Sequence, residues 1–337
     1  MGRVTLENIA RMAGVSKSTV SRILNEKKAG YSRETEQKVR KLLEDTGYIH
    51  GGDLFQMPYP VRSKSIGLVL PDITNPFFQI IADAVEDYAS QQEYSMLLGG
   101  TRHLVEKESL ILNAFIAKRV DGIIFVSVAM ENKATFRNLE RYKIPCVLLD
   151  RKFTGMEAFG AGVFIDSVYP IYRACEHLIQ HNSRRLVFIA GPKGVSTAQE
   201  RFDGYRVALK QHDIELSEEL ICYGDYTIRS GYDCMAKILR SGTKFDAVIA
   251  ANDFMAIGAL SAIREAGLRV PEEIEVIGFD GIDIGEYITP PLSTIAQPAY
   301  EMGRKSAELL FKMINGKRIE QPFVRMEAQL ILRGTTR

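Results

Sequence analysis

Residues 5–25 read Thr-Leu-Glu-Asn-Ile-Ala-Arg-Met-Ala-Gly-Val-Ser-Lys-Ser-Thr-Val-Ser-Arg-Ile-Leu-Asn, and they predict two short helices joined by a tight turn. Apolar residues recur three or four positions apart in each half, so each helix has one face to bury. Thr5 can cap the first helix, Gly14 can end it and Ser16 can cap the second. This pattern is typical of a helix-turn-helix unit, which makes DNA the first partner to test.

The second predicted helix has a polar face formed by Lys17, Ser18, Ser21 and Arg22, opposite its apolar positions. Recognition helices enter the major groove with their N-terminal residues forward, so these side chains are candidate DNA contacts. The alternative is a helical hairpin on a protein surface, whose charged side chains are only solvated.

A third helix completes the predicted unit. It runs from a Ser32 cap to Gly47, a residue suited to a left-handed stop, and it gives a DNA-binding domain at residues 1–48. Lysine and arginine exceed aspartate and glutamate by four in this range, whereas the whole chain has a net charge of +1. Positive charge concentrated at one end suits contact with phosphates.

The composition indicates a globular protein of more than one domain. A chain of 337 residues is too long for one ordinary core, and its 46% hydrophobic and 25% charged residues are typical of globular proteins. We expect a cytoplasmic protein, because the sequence has neither an apolar stretch of membrane-spanning length nor an apolar signal region.

Metal binding is not expected from the histidines or the cysteines. His177 and His181 stand four residues apart without an acidic neighbour, which favours a solvated helix end over a zinc site. The four cysteines are widely spaced and are expected to be reduced packing residues. They are Cys146, Cys175, Cys222 and Cys234.

Residues 49–64 contain two glycines and two prolines and are predicted to be a hinge. Beyond them, short β-rich runs alternate with helical segments, and the alternation restarts near residue 185. This predicts an α/β core of two doubly wound parallel sheets, one in each of two lobes. The core is expected at 65–337, with the first lobe at about 65–164 and 295–323 and the second at about 165–294 and 324–337. The predicted strands are 65–70, 94–98, 122–126, 145–149, 185–190, 220–223, 247–250 and 275–278.

Polar residues follow four of these strands, at 71–75, 150–151, 252–253 and 279–280. Because ligands of such sheets bind at the carboxyl ends of the strands, we expect these residues to converge between the lobes. Planar amide, carboxylate and guanidinium groups suit sugar hydroxyls, which both donate and accept hydrogen bonds. The acidic and basic groups roughly balance, which favours a neutral sugar over a phosphate.

Each of these residues also has a structural interpretation. Asp253 is expected to cap the helix 254–265, and Asp72 and Asn75 can shape a turn before Pro76. One of the two phenylalanines that follow Pro76 can belong to the core. Asp150 and Arg151 can form an exposed ion pair of little energetic value.

The whole chain resembles the lactose-repressor (LacI) family of bacterial transcription regulators. The resemblance implies a periplasmic-binding-protein-like core, a homodimer, a pseudo-palindromic operator and base-reading positions at Lys17, Ser18 and Arg22. The residues that carry it are Val4-Thr5-Leu6, Ala13-Gly14-Val15-Ser16, Thr19-Val20-Ser21-Arg22, Gly47-Tyr48, Asn252-Asp253, Gly278-Phe279-Asp280 and Gln297-Pro298. The full set of expected DNA contacts is Thr5, Ser16, Lys17, Ser18, Thr19, Ser21, Arg22, Asn25, Tyr31 and Met57.

Within this family, the polar set is most similar to that of the ribose-binding group, so ribose is the first guess for the effector. The expected effector contacts are Asn75, Phe77, Phe78, Asp150, Arg151, Arg201, Tyr226, Asn252, Asp280 and Gln297. The hinge departs from the family, because His50-Gly51 replaces a Pro-Asn pair and Pro58 follows Met57 closely. A stable hinge helix is therefore less favoured, although Met57 can still act as an apolar wedge.

The resemblance predicts a repressor of a carbohydrate operon that is controlled by a small neutral sugar, without enzymatic activity or a cofactor. One alternative is a regulator whose co-repressor is a nucleobase or a phosphorylated sugar. Another is a sugar-binding receptor without a DNA role, which a helix-turn-helix argues against. An enzyme is disfavoured, because the sequence has no Gly-rich phosphate-binding loop. The sequence does not show whether a phosphocarrier protein acts as a co-regulator.

Overall fold

The computed structural model describes residues 6–24, 31–46, 62–128, 139, 143–152 and 160–337. The chain divides into two compact units, Met1–Arg62 and Ser63–Arg337. Among the described residues, no helix combines the length and the apolar composition that crossing a membrane requires.

The described part of the first unit contains three helices: α1 (Leu6–Ala13), α2 (Lys17–Leu24) and α3 (Arg33–Thr46). They pack around a small apolar core, which is formed by Ile9, Ala10, Ala13, Val20, Ile23, Val39 and Leu43. The helical periodicity of the sequence therefore predicted the buried faces correctly.

The turns and caps of this unit follow from single residues. Gly14 has φ +73° and is followed by a bond from the backbone N–H of Val15 to the carbonyl of Ala10 (3.0 Å), which ends α1 in a left-handed turn. Ser16 and Ser32 accept the backbone N–H of the residue three positions later, each at 3.1 Å, so both predicted caps are confirmed. The cap at Thr5 and the stop at Gly47 lie outside the described residues.

The second unit contains two six-stranded sheets with helices packed against them, which confirms the predicted fold class. The first sheet has the order β11-β5-β4-β3-β1-β2 and is parallel throughout. Its strands are β1 (Ser65–Leu70), β2 (Ser95–Gly100), β3 (Gly122–Phe125), β4 (Cys146–Leu149), β5 (Gly160–Ile165) and β11 (Phe323–Met326). The helices α4 (Pro76–Gln91) and α5 (Val105–Ala117) follow β1 and β2.

The second sheet has the order β12-β10-β9-β8-β6-β7, and only the β10–β12 pair is antiparallel. Its strands are β6 (Leu186–Ala190), β7 (Ile221–Tyr223), β8 (Ala247–Ala250), β9 (Glu275–Asp280), β10 (Ser293–Ala296) and β12 (Gln329–Ile331). The remaining described helices are α6 (Val168–Gln180), α7 (Ser196–Gln211), α8 (Ile228–Ser241), α9 (Asp253–Glu265), α10 (Ile284–Tyr287) and α11 (Ala299–Ile314).

The chain passes between the two lobes three times: after β5, after β10 and between β11 and β12. Strand β10 pairs with β9, so the second passage follows Ala296 rather than preceding residue 295. Strand β11 pairs with β5, so the last passage lies after Met326 rather than at 323/324. Both differences arise because the pairing partners of β10 and β11 decide the lobe of each strand, and the sequence does not show these pairings.

The expectation of four reduced cysteines is wrong for two of them. Cys222 in β7 and Cys234 in α8 form a disulfide, with their Cα atoms 5.7 Å apart, whereas Cys146 and Cys175 are free and buried. The pairing depends on α8 lying against the sheet beside β7, and sequence spacing does not show this. His177 and His181 lie at the end of α6, where the Nδ1 of His181 contacts the carbonyl of His177.

Candidate functional site

A cleft between the two lobes lies at the carboxyl ends of the strands, as expected for paired doubly wound sheets. It has about 350 Å³ of space between atoms, the part that opens to solvent included. The lining residues are Asp72, Asn75, Phe77, Phe78, His103, Asp150, Arg151, Thr197, Arg201, Tyr226, Asn252 and Asp280.

The turn between β1 and α4 brings flat apolar rings to the first-lobe side of the cleft. Asn75 caps α4 by accepting the backbone N–H of Phe77 (3.0 Å), and Pro76 occupies the first helical position. Phe77 and Phe78 are both buried and lie edge to face, with ring centroids 5.0 Å apart. Asn75 therefore shapes the turn and also lines the cleft, so its two interpretations are compatible.

Asp150 and Arg151 follow β4 and are both buried, so they do not form the exposed ion pair considered above. The Arg151 Nε lies 3.7 Å from the Asp150 Oδ2, within range of charge attraction but too far for a hydrogen bond. Arg151 donates instead to the carbonyl of Ser127 (3.2 Å). Burial raises the pKa of Asp150, against the lowering effect of Arg151, Arg201 and Lys152.

Arg201 and Asp280 provide the charged pair of the second lobe. The guanidinium of Arg201 donates to the carbonyl of Ala251, lies 3.7 Å above the ring centre of Phe279, and has its Nη2 3.7 Å from the Asp280 Oδ1. Burial raises the pKa of Asp280 to about 8, although Arg201 opposes the shift. Helix α7 begins at Ser196 and places Arg201 in its second turn.

Gln297 does not line the cleft, unlike the other nine expected effector contacts. It lies behind Asp280 and donates its Nε2 to the Asp280 Oδ1 at 2.8 Å. Gln297 follows β10, where the chain passes between the lobes. This bond therefore ties the Asp280 carboxylate to that passage.

The predicted cap at Asp253 is wrong, because Asn252 caps α9 by accepting the backbone N–H of Met255 (2.9 Å). The buried Asp253 carboxylate instead accepts the backbone N–H groups of Gly281 and Ile282 and the hydroxyl of Thr294. Burial raises the pKa of Asp253 to about 7. Adjacent Asn and Asp are both good caps, so the sequence could not decide between them. Through these bonds, Asp253 stabilises the turn that follows Asp280.

Tyr226 and His103 lie on opposite sides of the cleft, with ring centroids 6.4 Å apart. Tyr226 is held by a bond from the Asn252 Nδ2 to its carbonyl (3.0 Å), and its ring covers Gly191, where a Cβ atom would lie 2.4 Å from the ring. Burial is the largest cause that lowers the pKa of His103, followed by the charge of Arg151.

Buried polar atoms without a hydrogen-bond partner in the described protein concentrate in this cleft. Such atoms cost free energy unless a ligand or water satisfies them, so their convergence indicates a binding site for a polar molecule. Five of them belong to residues that line the cleft: the His103 Nδ1, Asp150 Oδ1, Arg151 Nε, Arg201 Nε and Tyr226 OH. The Gln297 Oε1, next to Asp280, is a further one.

The polar face of α2 has a different environment. Lys17, Ser18 and Arg22 are exposed, as is Ser16, whereas Thr19 and Ser21 are half-buried. The only charge partner found for Lys17 among the described residues is Glu7, with Nζ and Oε1 3.3 Å apart, and both side chains are mostly exposed. Tyr31 packs partly against the helical core. Thr5, Asn25 and Met57 lie outside the described residues.

Three lining residues were missing from the predicted effector contacts: Asp72, His103 and Thr197. Asp72 was placed among the polar residues after the first strand and was also interpreted as a turn residue, and it does accept the backbone N–H of Thr74 at 2.8 Å. His103 follows β2, which extends two residues beyond its predicted end through Gly99 and Gly100. Within the described ranges, no three His, Cys, Asp or Glu side chains are placed to hold a metal ion.

Comparison with known proteins identifies both parts of the chain. Residues 5–50 match the model for bacterial regulatory proteins of the lacI family, and residues 175–336 match a periplasmic binding protein-like domain. The ribose operon repressor of Halalkalibacterium halodurans is 32% identical, over 99% of this chain and 97% of that protein.

Two solved structures are also similar. The transcriptional regulator CelR in complex with cellobiose has a TM-score of 0.75 and 30% identity, covering 99% of this chain and 100% of that one. A LacI family regulator from Enterococcus faecium with bound ribose has a TM-score of 0.71 and 30% identity, covering 81% of this chain and 98% of that one. This chain belongs to the LacI family of bacterial transcriptional regulators.

Proposed function

We propose that this chain represses an operon for carbohydrate use and that a small neutral sugar in the cleft sets its affinity for the operator. The observation that supports this most is the convergence of five unpartnered buried polar atoms in the cleft, which the rings of Phe77 and Phe78 also line. Hydroxyls of a sugar can satisfy such atoms, and its C–H faces suit the rings.

The charge of the cleft supports a neutral ligand. Three carboxylates, of Asp72, Asp150 and Asp280, face two guanidinium groups, of Arg151 and Arg201. The raised pKa of Asp280, about 8, lowers the negative charge of the cleft near neutral pH without adding a positive excess. A phosphorylated sugar would favour such an excess, so this balance disfavours it.

Ribose is the first candidate for this sugar, because nine of the ten contacts expected by similarity to the ribose-binding group line the cleft. The relative named as a ribose operon repressor and the ribose-bound family member support the same choice.

For the DNA side, we propose that residues 1–48 bind DNA, that 49–64 act as a hinge and that 65–337 bind the effector. Two copies of the chain would place their α2 helices in successive major grooves of a pseudo-palindromic operator, where Lys17, Ser18 and Arg22 read bases. Sugar and operator then favour different arrangements of the dimer, so each weakens binding of the other.

The test begins with selection of binding sites from randomised duplex DNA by the purified full-length protein. Operator affinity is then measured with D-ribose, with D-ribose 5-phosphate and without ligand. We expect D-ribose to change the affinity and to raise the melting temperature of the protein, because it binds the native state. Binding of the phosphorylated sugar alone, or sugar binding without any change in operator affinity, would contradict the proposal.

A further inference from the structure

His103 lines the cleft, but it is not among the effector contacts expected from the similarity to the ribose-binding group. It lies in the turn between β2 and α5, and its backbone N–H donates to the carbonyl of Pro71 at 3.1 Å. The neighbouring Thr101 N–H donates to the carbonyl of Leu70 at 2.9 Å. The turn is therefore attached to the end of β1, next to Asp72, and holds the imidazole in a defined place.

The backbone of His103 has a left-handed conformation, with φ +58°. Residues with a Cβ atom adopt this region at a cost in free energy, and such residues concentrate at functional sites. Asp150, Tyr226 and Asp280, which also line the cleft, have φ values of +64°, +70° and +120°. His103 thus shares a conformational property with three residues that were expected to contact the effector.

His103 and Tyr226 line the cleft from opposite lobes, and each has a polar atom available to a ligand. The Nδ1 of His103 and the hydroxyl of Tyr226 are both buried and have no hydrogen-bond partner among the described residues. The two rings lie close together, with centroids 6.4 Å apart and planes tilted by 33°. One small ligand in the cleft therefore lies within reach of both residues.

The environment of the imidazole favours its neutral form. Burial and the positive charge of Arg151 lower the pKa of His103, and the more weakly acting Asp72 and Asp225 oppose this. A neutral imidazole has one donor nitrogen and one acceptor nitrogen, which suits a hydroxyl group. It also adds no charge to the cleft, in keeping with a neutral ligand.

We infer that His103 is a ligand-contacting residue that, together with Tyr226, binds one hydroxyl of the sugar and so determines which sugars the cleft accepts. The inference rests on the proposed function, since it concerns the same cleft. A site that hydrogen-bonds a substrate hydroxyl discriminates strongly against an analogue that lacks it, because the polar groups of the site are then left unpaired.

The test uses the full-length protein, calorimetric titration and D-ribose as the probe. H103A is expected to weaken D-ribose binding about 10-fold or more. H103N keeps a polar side chain and a residue type that tolerates positive φ, and it should recover most of the affinity. The matched control is R102A, because Arg102 is exposed, has φ +53° and does not line the cleft. R102A should change the affinity less than about 2-fold, as expected for a surface substitution.

Deoxy analogues of ribose separate a direct contact from a structural effect. If His103 bonds one hydroxyl, the loss caused by H103A disappears for the monodeoxyribose that lacks this hydroxyl and persists for the others. An equal loss for every monodeoxy form, or for R102A and H103A, overturns the inference while leaving the proposed function intact. If the wild-type protein binds neither ribose nor any of its deoxy forms, the proposed sugar fails, and the inference with it.

Discussion

The polar face of α2 and the polar lining of the cleft contain similar residue types in opposite environments. On α2, Lys17, Ser18 and Arg22 are solvated, and Ser16 contacts Ser18 and Thr19 at 2.8 Å. In the cleft, Arg151 and Arg201 are 4% exposed and each has a nitrogen without a partner. The exposed face must lose water when it binds, whereas the fold has already removed water from the cleft groups.

This difference has a consequence for specificity and strength. Exposed charges act over a long range but are screened by salt, so contacts from α2 should depend on ionic strength. Buried groups act in a low dielectric, where an unpartnered atom is costly and a matching ligand atom is correspondingly favourable. A small molecule with few atoms can therefore compete with a large DNA interface.

The largest effect is expected from R201M. This variant removes the buried partner of Asp280 and the donor to the carbonyl of Ala251. It also removes the Arg201 Nε, which has no partner in the described protein and is available to a sugar hydroxyl. Loss of a hydrogen bond from a charged group costs up to about 3 kcal/mol, so sugar affinity should fall up to about 100-fold. Calorimetric titration with D-ribose measures the affinity of R201M and of the wild type. The control is R206A on the same helix, where an exposed arginine contacts Asp203. If R201M also weakens binding to the selected DNA sites in the absence of sugar, the cleft and the face of α2 do not act as separate binding surfaces.

Arg22→Ala tests the exposed face. If Arg22 reads a base, the variant should lose roughly 1–3 kcal/mol of binding at one base position and accept other bases there. Site selection from randomised DNA, followed by affinity measurements on single-base variants, gives the result. The control is K38A, because Lys38 is exposed on α3 rather than α2. Equal weakening on every DNA sequence would make Arg22 a phosphate contact.

Asp280→Asn tests the buried side of the comparison through the pH dependence of the free energy of unfolding. The pKa of Asp280 is raised from 3.8 to about 8 in the folded state, so the folded chain retains a proton that the unfolded chain loses within this window. The free energy of unfolding of the unliganded protein therefore falls as pH rises through the window. D280N removes this contribution and flattens the dependence, leaving the part due to Asp253. Urea denaturation across the pH range measures the free energy of unfolding of the wild type and of D280N. If its pH dependence is the same in D280N as in the wild type, the raised pKa does not belong to Asp280.

Gly14→Ala should have the smallest effect. At φ +73° an alanine pays a conformational cost of about 1 kcal/mol, although its Cβ atom would meet no atom within 4 Å. Thermal unfolding of the first unit should show this loss, and Gly14→Asn should show less of it, because asparagine tolerates the left-handed region. The cleft should bind sugar unchanged. An equal loss for both variants would mean that space, rather than φ, limits the position.

The sequence predicted the three-helix unit well because its signals are local. The apolar periodicity around Ile9 and Val20 and the caps at Ser16 and Ser32 depend on residues within a few positions of each other. The parallel sheets were also predictable, since their strands are short buried runs separated by helices. Nine expected effector contacts line the cleft because the carboxyl ends of parallel strands share one edge.

The errors arise where a contact joins distant segments. The Asp253 carboxylate bonds to residues 281 and 282, and no local pattern distinguishes that role from helix capping. Cys222 and Cys234 meet only after α8 packs against the sheet. His103 was missed because the glycines at the end of β2 have low strand propensity, so the predicted strand ended before the turn that holds it.

The last strands of the chain determine when each lobe can be complete during synthesis. Strand β11 is an edge of the first sheet and β12 an edge of the second, and they are only two residues apart. Thr335 then bonds to Val276 and Ser293, and Arg337 to Glu275. Although most of the first sheet is made early, neither lobe can complete its sheet until residues 323–331 have left the ribosome. The two halves of the effector site therefore mature together, once both edge strands have been made.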